Sequence, residues 1–393
     1  MTTYDWIVIG NGITGAALSY ELAHVGFSVL LLDPSDRPHS ATRFSYGGVA
    51  FWAGTTDMTQ QLCQEGIDRH RHLSDELGAS TEFHERDLLM PVFPDDDLPA
   101  LTHLYQRFQP QPTLVDRQTA CELEPLLNPE AIAAAFVVKH GHVHPEKAVR
   151  AYNHAFQRLG GQVAIAPVQQ MQTHQGKVTG VLTPTETYAG HQVAVCAGSM
   201  SRSLLQQMQI SVPCYFSHAE LIETPPVDLN LRTVIMPANT RRFALEATME
   251  QRQHEDLWDE AGHEIAPPIL DAGIFQFADG HLRLGQISRL LTDPQAPVDA
   301  AASERQIREA IAHLIPALAD VPGQWHRCLV AFSGDRMPLV GALPDYAGLH
   351  LFSGFSNPFA FVPPIAQRFA KSQVGNPDLL IESLAPSRFK EQN

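Results

Sequence analysis

Tyr4–Ile9 is an almost unbroken apolar run, of the length expected for a buried strand. Gly10-Asn11-Gly12-Ile13-Thr14-Gly15 follows at once. Ala16–Val25 then takes up helical spacing and Gly26 stops it. Ser28–Leu32 is a second buried strand, ending at Asp33. The opening thus predicts strand, tight glycine turn, helix, strand and acid, in that order.

Further along, Pro34 to Gly54 reads as a loop, and Thr59–Gly78 as a long amphipathic helix closed by glycine. Glu82–Phe93 predicts two short strands. Leu98–Phe108 and Arg117–Leu123 predict helices, the latter ended by Pro125. Ala131–Lys139 is an apolar strand that leads into Gly141-His142-Val143-His144-Pro145. Glu146–Leu159 is a helix with proline at its start and Gly160-Gly161 at its end. Strands are expected at Gln162–Ala166, Val178–Leu182 and Gln192–Val195, then a helix over Met200–Met208. From Cys214–Glu223 the pattern turns β-rich, with Gly273–Phe277 and His281–Ile287 joined by a turn at Ala278-Asp279-Gly280. Thr248–His263 is polar and is expected at the surface. Ala302–Leu318 predicts a helix, Leu349–Ser353 a strand, and Phe361–Val374 the last helix.

The glycine turn carries the first chemistry. Gly10 permits the tight exit from the strand, Gly12 allows close approach of a pyrophosphate, and Gly15 lets the helix pack on the strand. The N-terminus of the helix offers free N–H groups and the positive end of its dipole to phosphate. Asp33 stands where a carboxylate accepts ribose hydroxyls. A dinucleotide cofactor is therefore expected. Val193-Ala194-Val195-Cys196 running into Ala197-Gly198 is a second strand and small-residue turn that lets backbone approach a ligand closely.

Glycine-turn signatures near residues 10, 198 and 354 alternate with β-rich stretches. This predicts an α/β, overall α+β, chain in which a Rossmann-like nucleotide-binding domain (1–80, 140–210 and 325–393) interleaves with a β-rich substrate domain (81–139 and 211–324).

Composition narrows the partners. The chain has 393 residues, 27 Lys+Arg against 43 Asp+Glu, and a formal charge of −16. Such a field repels nucleic acid and gives no reason to bind an anionic membrane surface. No run reaches transmembrane length, and no signal segment precedes the first strand, so a cytoplasmic location is expected. The five cysteines are scattered, without CxxC spacing, and are expected as free thiols rather than disulfides or zinc ligands. No metal site is expected.

The chain resembles the D-amino-acid-oxidase-like (DAO) family of FAD-dependent oxidoreductases, in its glycine oxidase and sarcosine oxidase branch. The resemblance rests on the opening turn, on Ser40-Ala41-Thr42-Arg43-Phe44-Ser45-Tyr46-Gly47-Gly48, and on Gly141–Pro145. It rests also on Val195–Gly198, on Asp335-x-x-Pro338-x-x-Gly341 and on Gly354-Phe355-Ser356. It implies FAD as cofactor and hydride transfer from the carbon of a C–N bond to flavin N5, with O2 as acceptor and hydrogen peroxide as product. It places Gly10, Gly12, Ile13, Thr14, Gly15, Asp33 and Pro34 on the ADP half, and Val168 near the adenine. Thr42, Arg43, Gly47 and Gly48 would run along the flavin, Ala197 and Gly198 behind the pyrophosphate, and Gly354, Phe355, Ser356, Asn357 and Pro358 over the pyrimidine end.

The chain also departs from the family pattern. The stretches where relatives carry a carboxylate-binding cation read Leu329-Val330-Ala331-Phe332 and Asn357-Pro358-Phe359-Ala360-Phe361, without one. Tyr46 stands where a second cation is expected. Arg241 and Arg242 are alternative carboxylate ligands or a solvated pair. Arg283 matches the oxygen-activating lysine of the sarcosine oxidase branch or is a strand arginine facing solvent. Arg43 and Arg283 are expected to tune the flavin electrostatically. Cys328 either links covalently to the flavin or is a buried hydrophobe. His218 lies on a strand that could reach the substrate. The expected substrate is a small amine or amino acid. The alternatives are an FAD-dependent dehydrogenase of a 2-hydroxy acid with a quinone or protein acceptor, and a non-catalytic FAD-binding subunit. Oligomeric state is unknown from sequence.

Overall fold

The computed structural model describes residues 2–239, 241–250 and 255–389. Two large sheets organise them. The first has eight strands, and Thr3–Ile9 lies at its centre, parallel to Val29–Asp33 on one side and to Thr187–Val195 on the other. Leu349–Ser353 extends it in parallel, and Leu339–Ala342 closes that edge antiparallel. Gln162–Ile165 closes the other.

Side-chain alternation along the first strand explains why both faces are covered. Trp6 and Val8 join a core with the helices Ile13–His24, Asp57–Leu77, Pro145–Arg158 and Pro358–Ser372. Ile7 and Ile9 face the opposite core, built on Val178, Val193 and Leu204. Gly66 lets two of these helices meet closely: a Cβ there would stand 2.1 Å from the Ala360 carbonyl oxygen.

The second sheet has nine strands. Cys214–Glu223 pairs antiparallel with both Leu282–Leu291 and Gln324–Ser333. Helix Ala300–Leu314 covers one face through Ile307 and Ile311. The strand Gln324–Ser333 therefore belongs here, although its sequence position suggested the nucleotide-binding half. The short strand Gly48–Val49 joins this sheet too. So the chain crosses between the sheets more often than the expected boundaries imply.

Most expected elements are present, with differences at their ends. Ile13–His24 begins three residues early because Gly12 serves as its N-cap. His84–Val92 is one continuous strand, not two, held along its length by Ala134–His142. Met200–Met208 divides into a 3-10 turn at Gly198–Met200 and a short helix at Ser201–Gln206. Leu282–Leu291 runs four residues further than expected. Thr248–His263 is not simply surface, since Met249 and Trp258 are buried together with the Trp258 indole N–H 3.2 Å from the Met249 sulfur. Its residues 251–254 lie outside the described residues.

Candidate functional site

A cavity of about 410 Å³ runs between the glycine turn and the second sheet. This is within the range of small-molecule sites, and junctions between sheets favour them.

At one end, backbone geometry forces glycine twice. Gly10 has φ +106°, and a Cβ there would stand 2.5 Å from the Cys196 carbonyl oxygen. At Gly15 the gap to the Gly10 carbonyl oxygen would be 1.8 Å. Gly12 differs. Its nearest neighbour would be the Thr42 hydroxyl at 3.1 Å, so the turn itself could hold a methyl group there. Its bareness is directed at the cavity it lines.

The helix that starts at Ile13 has no side-chain cap on Gly12. Its first N–H, on Ile13, meets the Thr42 hydroxyl at 3.2 Å. Asp33 ends its strand at the cavity wall, where its carboxylate accepts the N–H of Asn11 at 2.7 Å and that of Ser35 at 2.9 Å.

Of the expected cofactor residues, Gly10, Gly12, Ile13, Thr14, Asp33 and Thr42 line the cavity. Ala197, Gly198, Cys328, Gly354, Phe355, Ser356 and Pro358 do so as well, and so does Tyr46. Thr14 also reaches Cys196, its hydroxyl 3.4 Å from that carbonyl oxygen.

The others stand outside the wall, each for a physical reason. Gly15 is consumed by helix packing. Pro34 is exposed beyond the strand end. Gly47, at φ +72°, leaves room for the Val143 carbonyl, and Gly48 pairs with His142 in the second sheet. Val168, half-buried, packs against the core on the back of the first sheet. Asn357 donates its amide to the Ala50 carbonyl at 3.1 Å and caps the helix Pro358–Ser372.

The two arginines expected beside the ring do not line the cavity. Arg43 donates two hydrogen bonds of 2.7 Å to Glu223 and lies 3.5 Å from Glu146. Arg283 is fully buried, which removes the solvent-facing alternative. Its Nε donates to Glu223 at 3.0 Å, its Nη1 donates to the Ser45 carbonyl, and its guanidinium stacks 4.7 Å above Phe277. Burial works against a charged Glu223, but the bond from Arg43 and the charge of Arg283 outweigh it and hold the carboxyl down to about 2. Burial likewise depresses Arg283, and Glu223 opposes that.

This network shapes the wall. The Ser45 carbonyl is taken by Arg283, and the Tyr46 carbonyl accepts from or faces His142 Nε2 at 2.9 Å. With its backbone held from both sides, Tyr46 stacks on Phe275 with ring centroids 4.6 Å apart. Its buried hydroxyl has no hydrogen-bond partner among the described residues, and neither has the Ser356 hydroxyl. Burial raises the Tyr46 hydroxyl well above the ordinary phenol value, so it stays protonated.

Cys328 lines the cavity, and burial pushes its thiol up to about 12. His218 does not line it. Ala219 and Leu221 do, and strand alternation turns His218, next to Ala219, to the opposite face with Glu220.

Sequence reasoning missed Glu223 and misjudged Arg242. Arg242 lines the cavity with its Nη2 3.4 Å from the Ser356 carbonyl oxygen, whereas Arg241 lines a separate small pocket. The spacing Arg242-x-x-x-Glu246 was the available signal, an i,i+4 pair on one helix, Arg241–Ala247. Glu223 had none, because its partners lie 180 and 60 residues away.

A glycine cradle, an uncapped helix start and a cavity wall with unpartnered hydroxyls fit FAD. No group of His, Cys, Asp and Glu among the described residues is arranged to hold a metal ion, and no helix among them is long and apolar enough to cross a membrane.

The comparisons agree with the fit. The chain is 22% identical over 389 residues to glycine oxidase of Bacillus licheniformis, covering 95% of this chain and 94% of that one. The structure superposes on glycine oxidase of Geobacillus kaustophilus with a TM-score of 0.80 at 16% identity, covering 99% of both chains. It superposes on L-proline dehydrogenase of P. horikoshii with a TM-score of 0.79 at 17% identity, covering 100% of this chain and 99% of that one. The DAO model, FAD dependent oxidoreductase, matches residues 5–372. The chain belongs to the DAO family of FAD-dependent oxidoreductases.

Proposed function

We propose that this enzyme oxidises the carbon–nitrogen bond of a small amine or amino acid and passes the electrons to O2, giving hydrogen peroxide. The observation that carries the reading is the single cavity joining the glycine cradle to the polar corner of Tyr46, Ser356 and Arg242. The glycine oxidases among its relatives support an amine substrate.

FAD, when bound, supplies the two-electron acceptor. The chain's residues bind and orient. In this reading Gly12 and the first turn of Ile13–His24 receive the diphosphate, and Asp33 receives the ribose hydroxyls. Gly198 would back the diphosphate, and Gly354–Ser356 would cover the pyrimidine end of the flavin. Leu329, Val330 and Phe359 exclude water, and the Tyr46 hydroxyl offers a proton to a substrate oxygen. The cofactor carries the redox step, so the reading requires no dedicated base. The division into an interleaved FAD-binding part and a substrate part belongs to the same proposal. So does a cytoplasmic location, where the five free cysteines stay reduced.

A second reading, a dehydrogenase with another acceptor, is favoured by one observation. Arg283, expected to assist oxygen, spends its charge on Glu223 and does not line the cavity.

The test is anaerobic mixing of the holoenzyme with amines, amino acids and 2-hydroxy acids while following the visible flavin band. Bleaching by amines, with peroxide on readmitting air, is the expected result. Bleaching by 2-hydroxy acids alone would sink it, and bleaching by amines without oxygen uptake selects the second reading.

A further inference from the structure

His84 and His142 are the terminal pair of two neighbouring strands, His84–Val92 and Ala134–His142. His84 Nε2 lies 3.4 Å from His142 Nδ1, and the ring planes are inclined at 79°. The other nitrogen of each ring is committed. His84 Nδ1 lies 2.9 Å from the Glu82 carbonyl oxygen, and His142 Nε2 lies 2.9 Å from that of Tyr46. A carbonyl oxygen only accepts, so both of these nitrogens carry a hydrogen. The neutral rings therefore turn two lone pairs toward each other. One added proton makes this an N–H···N bond. A second has no room, because two N–H groups would then meet head-on.

The third histidine of the group cannot take that proton. The Trp52 indole, a donor only, gives its N–H to His140 Nδ1 at 3.1 Å. Protonating that nitrogen would break the bond, and burial lowers His140 to about 4.

The charges around the pair set when it loads. Burial works first against a proton on either ring, and Arg86, on the same strand face, adds to it. His140 also opposes a proton on His142. Glu82 favours one on His84 but is itself paired with Lys147. Glu85 and Asp87 alternate to the other face. Phe275 and Phe277 pack on His142 with centroids 6.0 and 4.9 Å away. Phe277 in turn carries the Arg283 guanidinium and the rings of His144 and His281. The pair is thus proton-free at neutral pH and loads below the ordinary histidine value of 6.5. His142 is 1% exposed, whereas half-buried His84 gives the proton its way in from water.

We propose that His84 and His142 form a one-proton pair that positions Tyr46 in the cavity wall. Acidification places a single proton between the rings. The bond from His142 Nε2 to the Tyr46 carbonyl then becomes charge-assisted and stronger, so the hold on this cavity-lining residue follows pH. The pairing is independent of the substrate oxidised.

The holoenzyme, with 15N in its histidine rings, is titrated without substrate from about pH 8 to about pH 5, and the flavin band is recorded alongside. His84 and His142 are expected to move together in one step below 6.5, with uptake of one proton and a shift of the flavin band in the same step. His84→Gln supplies His142 Nδ1 with an amide N–H at every pH. It is expected to abolish both the His142 step and the flavin shift. His72→Gln, at an exposed position, is expected to leave both unchanged. Retained flavin confirms that each variant is folded, and should His84→Gln lose its flavin, the wild-type titration decides alone.

His84 titrating while His142 stays unmoved, or uptake of two protons, overturns the pair. So does a pair that stays proton-free until acid unfolds the protein. A flavin band that stays flat through the step, or shifts equally in His84→Gln, overturns the coupling to the cavity wall.

Discussion

Arg43 and Glu223 are joined by two parallel hydrogen bonds of 2.7 Å, which tie the loop Ser40–Gly48 to the end of an interior strand of the second sheet, Cys214–Glu223. Arg283 shares the same carboxylate. Removing that charge leaves the buried Arg283 without its counter-ion and Arg43 with Glu146 alone. Glu223→Gln is expected to destabilise the protein by about 3–5 kcal/mol, read from chemical denaturation, and to lower FAD content on purification. A variant as stable and as yellow as wild type would show that the network is dispensable.

The same group sets an acid limit. Glu223 has its folded pKa depressed from an ordinary 4.5 to about 2. A depressed carboxyl contributes stability that is present above the unfolded value and lost as pH falls through the folded one. Wild type should therefore lose stability between about pH 4.5 and pH 2, and Glu223→Gln should have a flatter profile across that window. Parallel profiles would contradict this.

Gly12 and Gly15 should separate binding from folding. Gly15→Ala puts a methyl group 1.8 Å from the Gly10 carbonyl oxygen, where only backbone can give way. An overpacking loss of at least about 1–3 kcal/mol is expected, with a lowered melting temperature in apoprotein and holoprotein alike. At Gly12 the nearest atom is a movable hydroxyl 3.1 Å away. Gly12→Ala should leave the apoprotein within about 1 kcal/mol of wild type and weaken FAD binding, because the methyl group occupies the diphosphate approach. Equal effects of the two on apoprotein melting would refute the distinction.

Tyr46→Phe removes a buried hydroxyl that has no partner among the described residues. Deleting such a group is expected to leave stability unchanged or raise it by up to about 1 kcal/mol. The rate of flavin bleaching by substrate should fall. A large stability loss with unchanged turnover would mean that the hydroxyl serves the fold instead.

Cys328 is buried with its thiol pushed up to about 12, so almost no thiolate exists near neutral pH. FAD is therefore expected to leave on denaturation. A yellow supernatant above colourless acid-precipitated protein is the predicted result, and flavin fluorescence that migrates with the polypeptide on a denaturing gel would contradict it.

The parts legible in sequence are those governed by neighbours along the chain. Strand, glycine turn, helix and acid over residues 4–33 depend on local spacing, and the structure reproduces them with the turn at the cavity. The small-residue turns at Ala197 and Gly354 were legible for the same reason. What sequence could not give was side-chain direction. Arg43 and Arg283 were expected at the cofactor because their flanking residues match a pattern, but the carboxylate at position 223 that pairs with both was not foreseen. His218 failed through strand alternation, which depends on which face of the sheet meets the cavity. Arg241 and Arg242 read alike, as carboxylate ligands or a solvated pair, and only the fold sends them to different pockets.

The central place of Thr3–Ile9 has a consequence for biosynthesis. One of its two neighbours, Thr187–Val195, is translated long after it, and the Cys196 carbonyl against which Gly10 is shaped comes later still. A nascent chain halted before residue 187 carries an apolar strand with one edge bare. Such fragments are natural clients for chaperones, and the coenzyme's cradle is completed on the ribosome only long after its glycine signature is made.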